Sequence, residues 1–566
     1  MSLLKRIPRV VTVVAGLLFV SACESLVVSD PNDPDRSRVL ASAPSVEALL
    51  AGGLNGWMNI HQGMDPDGAL TTMADNYTAS WNNFQMRIYS SEPRTSWQND
   101  PASSAKVEIE SYWYAEYASL AAANAALYAV RTLGVFHKNA DSAMVENLAV
   151  MLQGMSVGMV ALNYDRGFEV EYNSNLAGLT LNTRQQLRDW ALAKLDTAIA
   201  MAGANTYTWP GSWTNNAGAN GAAITNVQVA QIANSMAARI LAYFPRAASE
   251  TQTAAEWDRV AGYASKGISS GTPFDFAFIG DGCVAGGSWC DELRLWSNDM
   301  TTMRMDTRVA NMMDTSQHTP WPDPGGNPQP NSADRRLGDG TYGTPTLANA
   351  VGTLPADAGA GTDYAWSPNA IFRPVRGQYH QSNIGQTRYD YLGFSAPDGS
   401  GGGFGFAPVM IAAENDLLLA EGLIRGTAPN LAAAATLINN TRVGRGGLAA
   451  AAAGDGVAVL LAKLQYEQDV ELPGDGAVPY YNRRRIDGLQ PLTPHQMPIP
   501  AKELGVLGLA LYTFGGASPA FSASLGGTSV TTSSGPIYSI SSVRDAPRIY
   551  DEMRREQMAR IRTTRQ

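Results

Sequence analysis

The stretch Val107-Glu-Ile-Glu-Ser-Tyr112-Trp113-Tyr-Ala-Glu-Tyr117-Ala-Ser-Leu120-Ala-Ala-Ala-Asn124-Ala-Ala-Leu127-Tyr-Ala-Val-Arg-Thr-Leu133 decides the fold class. Tyr112, Trp113, Tyr117 and Leu120 recur at helical spacing, and the alanines between them are the strongest helix formers, so one long helix over 107–133 is expected. The same periodicity returns at 46–57, 144–163, 183–201, 227–244, 254–268, 413–424, 431–442 and 457–472. Several of these spans are joined by short polar or glycine-containing links, as in antiparallel helix hairpins. The expectation is a mainly α chain of tetratricopeptide-like helix pairs, although the strict tetratricopeptide consensus is absent.

Long Gly/Pro/Asn-rich stretches separate these helices at 205–221, 270–298, 315–348 and 352–406, and connections of this length are usually functional or disordered. They carry aromatic residues in polar surroundings. Asp75-Asn76-Tyr77-Thr78-Ala79-Ser80-Trp81-Asn82-Asn83-Phe84-Gln85-Met86-Arg87 is followed by Trp97-Gln98-Asn99-Asp100, and the later loops hold Trp209, Trp213, Trp289, Trp296, Trp321, Trp366 and Tyr379. A flat ring offers the apolar C–H face of a sugar a rigid platform, while Asn, Asp and Arg beside it match the hydroxyls. The competing reading is that the rings pack the loops onto the helical body. The candidate ligand residues are Asp75, Asn76, Trp81, Asn82, Asn83, Arg87, Trp97, Trp296, Trp321 and Trp366.

The amino-terminal end carries a second signal. Lys5, Arg6 and Arg9 precede an uncharged apolar run from Val10 to Val20, which reads as an export signal. Ser21 and Ala22 directly before Cys23 resemble the bacterial lipobox, making Cys23 the expected lipidation site. Ser29 to Arg38 is Pro- and Asp-rich and without apolar periodicity, as a spacer between lipid and body would be. Two or more acyl chains on Cys23 would hold the chain stably at a bilayer.

A net charge of −10 argues against nucleic acid, whose phosphates demand clustered Lys and Arg, and against a strongly anionic ligand. Cys283 and Cys290, seven positions apart in a Gly-rich segment, are expected to form a disulfide in an exported chain. With no histidine nearby they do not make a zinc site, and the five scattered histidines include no i, i+4 pair, so neither metal nor cofactor is expected. No phosphate-binding loop, nucleophile elbow or His-Glu-x-x-His is present. Gly338-Asp339-Gly340-Thr341-Tyr342-Gly343 has the letters of a dinucleotide fingerprint but neither the strand before it nor the helix after it.

Taken together the chain resembles the SusD/RagB group of nutrient-uptake lipoproteins over nearly its full length. The resemblance rests on the lipobox at Cys23; on Ala43-Pro44-Ser45-Val46-Glu47-Ala48-Leu49-Leu50; on Tyr112-Trp113 leading to Asn124; and on Ala161-Leu162-Asn163-Tyr164-Asp165-Arg166-Gly167. It continues through Asp334-Arg335-Arg336-Leu337, Glu414 to Gly422, Tyr466-Glu467 ahead of Glu471-Leu472, and Met497-Pro498-Ile499-Pro500-Ala501. It implies a non-enzymatic protein that captures a glycan or other nutrient and partners a TonB-dependent, SusC-like transporter at the outer membrane, probed from the cell surface by an irregular ligand face. Unlike the usual family pattern, the chain continues well past the Pro-Ile-Pro segment.

The expected organisation is therefore a lipoprotein signal over 1–22, a lipid-anchored spacer over 23–42, a helical body over 43–510 whose ligand face lies at about 270–406, and a Ser/Gly-rich segment with a last amphipathic helix over 511–566. Two other classes compete with capture. A lipid-anchored glycan hydrolase would need two convergent carboxylates in a cleft. A structural or adhesive envelope lipoprotein would bind no small ligand.

Overall fold

The computed structural model describes residues 36–79, 83–136, 140–215, 223–250, 252–271, 274–283, 286–298, 303–319, 327–340, 363–366, 380–388 and 403–516, together with the backbone of 521–525 and 528–532. Among them the helices of eight or more residues are α1 (Ala43–Ile60), α2 (Val107–Tyr128), α3 (Ala140–Asn163), α4 (Arg184–Ala204), α5 (Asn226–Tyr243), α6 (Ala254–Ala264), α7 (Ala412–Arg425), α8 (Leu431–Arg442), α9 (Gly456–Glu471) and α10 (Val478–Arg485). Local sequence sets several starts. Thr183, Thr225 and Thr253 each cap the amino end of the following helix, and Gln186, Gln228 and Glu256 return the bond, so α4, α5 and α6 all open on a capping box.

Two ends differ from expectation. The α-helical part of α2 stops at Tyr128, and its last turn, Ala129–Leu133, is π-type and closed by Gly134 at φ +64°. Helix α6 stops at Ala264 rather than 268, because Gly267 must pass close to α5 and α7: a Cβ there would stand 2.3 Å from Ser235 Oγ and 2.6 Å from Asn415 Oδ1.

Each helix packs on its chain neighbour from α1 to α7, and α7 packs on both α8 and α9. The result is a serial stack of tetratricopeptide-like pairs with the apolar core running along it. Helix α3 sits deepest. Its segment Asp141–Asn163 is long and apolar enough to cross a membrane, yet 94% of the apolar window is buried inside the protein, between α2 and α4.

The insertion between α6 and α7 supplies two paired strands, β1 (Phe276–Asp281) and β2 (Phe404–Met410), antiparallel with Phe406 opposite Ile279. Short antiparallel pairs join Tyr77–Thr78 to Arg304–Met305 and Tyr364–Trp366 to Ile384–Gln386.

The body extends beyond 43–510 at both ends. Leu40 is buried in the core, so the expected spacer folds onto the body before its end. At the other end Trp97 N–H donates to Phe514 O at 3.0 Å, and Asn99 Nδ2 donates to Tyr512 O at 2.9 Å, which draws 511–516 into the core. Within the expected Ser/Gly-rich segment, Phe521–Leu525 and Thr528–Thr532 pair as an antiparallel hairpin. The signal, Cys23 and the expected last amphipathic helix lie outside the described residues.

Several buried charges are tied into ion networks. Arg336 is fully buried, bonding Asp334 at 2.7 Å and Glu467 and Glu471 at 2.9 Å each, while Tyr466 donates its hydroxyl to Asp334 at 2.8 Å. The segments Asp334–Leu337, Tyr466-Glu467 and Glu471-Leu472 thus meet in one ion network. Arg239 pairs with Glu414 at 2.5 Å and Arg485 with Glu421 at 2.5 Å, so both ends of α7 are tied by buried charges.

Candidate functional site

The local chemistry around β1 and β2 builds one wall of a cleft. Gly282 at φ +101° and Gly403 at φ +94° occupy backbone conformations that side chains rarely adopt. They also permit contact: a Cβ on Gly282 would lie 2.5 Å from the Phe404 ring, and one on Gly403 would lie 2.8 Å from Cys283 Sγ. Cys283 and Cys290 are joined as a disulfide with Cα atoms 4.9 Å apart. The loop they close is held to α1, since Asn59 Nδ2 donates to Ser288 O at 2.8 Å and Cys290 N–H donates to Asn59 Oδ1 at 3.2 Å. Disulfide and glycines together fix the start of β2, the strand that carries Phe406.

Phe406 is 42% exposed and faces a cleft of about 1140 Å³. Its other walls are the amino end of α7 (Ile411, Ala412, Ala413), the carboxyl end of α8 with the turn after it (Thr436, Asn440, Val443), Phe274 and Asp275 ahead of β1, and Gln228 from α5. The floor carries Arg388, Arg445 and Glu471. That volume is slightly above the roughly 300–1,000 Å³ of pockets that enclose a small ligand, as suits an open cleft.

The floor is electrically closed. The Glu471 carboxylate pairs with Arg388 Nη1 at 2.9 Å and with Arg445 Nε at 2.7 Å, Arg388 Nη1 also donates to the Glu471 carbonyl at 2.8 Å, and Arg336 pairs with the same carboxylate at 2.9 Å. Burial would raise its carboxyl, but these three guanidiniums hold it down at about 2. Arg445 in turn reaches Asp363 at 2.5 Å. Asp275 accepts the Ala412 N–H through Oδ1 at 2.7 Å, satisfying a first-turn donor of α7, which has no cap of its own. Burial pushes the Asp275 carboxyl up, and the Ala412 bond opposes this. Asn440 is exposed and gives one amide hydrogen to Asp416 at 3.1 Å, and its amide carries a further N–H and an acceptor oxygen. The arrangement can stack one apolar ring face on Phe406 and exchange hydrogen bonds with the ligand's edge. Among the described residues no group of three or more His, Cys, Asp or Glu is placed to hold a metal ion.

The sequence-predicted residues converge elsewhere. Asp306 N–H donates to Asn76 O at 2.9 Å, Phe84 and Trp296 lie 6.1 Å apart, and Thr307 N–H donates to His380 O at 2.7 Å, so the 75–100 segment does meet the 292–313 and 380–388 segments. The side chains there serve the fold. Trp97 is fully buried, donates Nε1–H to Gln496 O at 2.9 Å and packs on Tyr89 at 4.8 Å, leaving no ring face for a ligand. Trp296 is 5% exposed. Asp75 is buried against Arg94 and accepts from Gln490 at 2.9 Å, and Asn76 is buried and accepts from Arg308 at 3.3 Å. The structure buries these four ligand candidates in the body: Asp75, Asn76 and Trp97 because their segment folds inward, and Trp296 because its short helix packs into the core. Trp209 and Trp213 are buried as well. Arg87 and Trp366 keep part of their surface open. Trp81, Asn82, the Asn83 side chain and Trp321 lie outside the described residues.

Sequence reasoning missed Phe406, Phe274, Asp275 and Asn440. A signal existed for the first: Gly401-Gly-Gly-Phe404-Gly-Phe406 places two aromatic residues among glycines at the end of a long loop.

No protein-family model matches the chain, and no curated protein matches it in sequence. Solved structures do. A SusD superfamily protein from Bacteroides vulgatus ATCC 8482 superposes with a TM-score of 0.51 at 13% identity, covering 80% of this chain and 89% of that one. A SusD-like carbohydrate binding protein from the same organism gives 0.51 at 12% identity over 87% and 89% of the two chains. Surface glycan-binding protein A from Bacteroides uniformis gives 0.50 at 14% identity over 76% and 86%.

Proposed function

Because the chain has the SusD-like fold, we propose that it is a lipid-tethered capture protein that holds an oligosaccharide in the cleft beside Phe406 and feeds a TonB-dependent, SusC-like transporter of the outer membrane. The observation that carries the reading is the pairing of this fold, whose solved examples include proteins named for carbohydrate and glycan binding, with a sugar-sized cleft bearing an exposed aromatic ring. The tether is supported by the basic and apolar start and by Ser21-Ala22-Cys23. Capture without turnover is supported by the cleft's acids. Glycoside hydrolysis needs a carboxylic acid and a second carboxylate working across the scissile bond. Of the carboxylates lining the cleft among the described residues, Glu471 is locked among three guanidiniums, which leaves Asp275 without a second working carboxylate.

An open shelf of this kind binds one sugar face, so affinities from about millimolar to micromolar are expected. Titrating the full chain against a panel of soluble oligosaccharides, with release of reducing ends followed in parallel, tests the reading. Binding without release supports capture. Release that depends on Asp275 would make the chain a hydrolase, and silence across the panel would favour an envelope protein with no small ligand.

A further inference from the structure

We propose that the cleft selects uncharged sugar residues and rejects uronate-containing glycans, an inference that rests on the capture reading above. Three elements of its wall would ordinarily draw an anion, and each is already matched by a carboxylate of the chain itself.

The first is the amino end of α7. The N–H groups and dipole of a helix start favour negative charge there, and Ala412 and Ala413 open directly into the cleft. Asp275 fills that place, taking the Ala412 N–H at 2.7 Å. The second and third are the guanidiniums of Arg388 and Arg445. Glu471 stands between them at 2.9 and 2.7 Å, and Asp363 takes the far end of Arg445 at 2.5 Å. Behind them Arg336 is shared among Asp334, Glu467 and Glu471, and Arg442 turns to Glu467 at 3.5 Å. Asp416, buried beside the cleft, accepts from Ser270 N–H at 3.3 Å and Asn440 Nδ2 at 3.1 Å. Among the described residues, carboxylates therefore outnumber guanidiniums around the cleft, and each guanidinium on its floor has a counter-charge.

What remains available is suited to hydroxyls. A carboxylate in partly enclosed surroundings accepts hydroxyl donors strongly, and Asp275 lines the cleft with one of its two oxygens taken by α7. Asn440 offers both a donor and an acceptor, and Gln228 keeps its amide N–H₂ while its oxygen caps α5. Phe406 supplies a face without charge. A uronate brought onto this surface would set its carboxylate against Asp275 and Glu471, with every guanidinium among the described lining residues already paired, whereas a neutral hexose meets both acceptors and donors.

The test is calorimetry of the full chain with β-1,4-linked gluco- and manno-oligosaccharides and with oligoglucuronates and oligomannuronates of the same linkage and length. The neutral series should bind with an affinity that is unchanged from low to high salt, and the uronates should bind at least about tenfold more weakly, the penalty of a like charge a few ångströms away behind partial screening. Asp275→Asn, which keeps an oxygen for Ala412, should close about tenfold of that gap without changing the circular dichroism spectrum. Uronates binding as tightly as, or more tightly than, neutral chains would overturn the selectivity while leaving capture intact. If neutral chains bind but Phe406→Ala leaves their affinity unchanged, the site lies elsewhere and the assignment to this cleft falls. Silence of every glycan would overturn the capture reading itself, and the selectivity with it.

Discussion

Phe406 and Trp97 both sit in loop-like sequence, yet replacing each by alanine should have opposite effects. Phe406 is 42% exposed, so Phe406→Ala should leave the thermal midpoint nearly unchanged while weakening oligosaccharide binding by about tenfold, the worth of one stacked ring. Trp97 is fully buried, so Trp97→Ala should destabilise the fold by about 3–5 kcal/mol through the cavity it leaves and the orphaned Gln496 carbonyl. Paired thermal melts and calorimetric titrations of the two variants check this. An affinity loss in Phe406→Ala accompanied by a collapsed midpoint would mean that Phe406 is structural. The contrast also marks what a sequence can disclose at this scale. Aromatic residues in polar loops are visible, but whether a ring faces solvent or core depends on partners that local composition does not reveal: Trp97 meets Gln496, Thr513 and Phe514, all near the opposite end of the chain.

Helices were legible to within a turn or so because apolar spacing and capping residues act locally; α8 begins at Leu431 and ends at Arg442 as expected from its pattern. The segment Glu414 to Gly422 reads as a half-buried scaffold helix and is one, with its charges turned inward to Arg239 and Arg485. Helix α10 was harder. Tyr480 to Arg485 shows a run of arginines and no apolar stripe, and only long-range contact explains it: Arg484 donates to the carbonyls of Leu162 and Tyr243, and Arg485 to Glu421. Burial would raise the Glu421 carboxyl, but Arg485 and then Arg425 hold it at about 2. Glu421→Ala leaves buried guanidinium uncompensated and should cost about 3–5 kcal/mol in urea unfolding, whereas replacing Glu421 and Arg485 together with apolar residues of similar volume should recover most of it. A double variant as unstable as the single one would contradict this account.

Over the whole molecule, buried carboxyls set the pH range of stability. Desolvation raises Asp67, Glu108 and Glu116 well above the usual carboxylate range, so the fold holds protons that the unfolded chain releases above about pH 4.5. Their contribution is present below that pH and is lost as pH rises through their folded values. Glu421 and Glu471, held at about 2, act in the other direction: their contribution is present above about pH 4.5 and is lost as pH falls toward 2. His61, whose ring is pushed well down by burial and then by Arg239, also loses its contribution below about pH 6.5. The urea midpoint should therefore peak at mildly acidic pH and fall on both sides; a midpoint that climbs steadily into alkaline pH would show the buried acids to be ionised. The shape of the molecule, a serial helical stack with an inserted strand pair, was readable from helical period and long Gly/Pro-rich connections. The cleft was not, because its lining comes from residues as far apart in the chain as Thr214, Phe274, Phe406, Asn440 and Glu471. The most direct measurement is a crystal structure of the full chain grown with the tightest-binding neutral oligosaccharide. It should show a sugar ring stacked on Phe406 with hydroxyls bonded to Asp275 and Asn440; sugar held instead at the Trp81 and Trp321 loops, with the cleft beside Phe406 filled only by solvent, would contradict it.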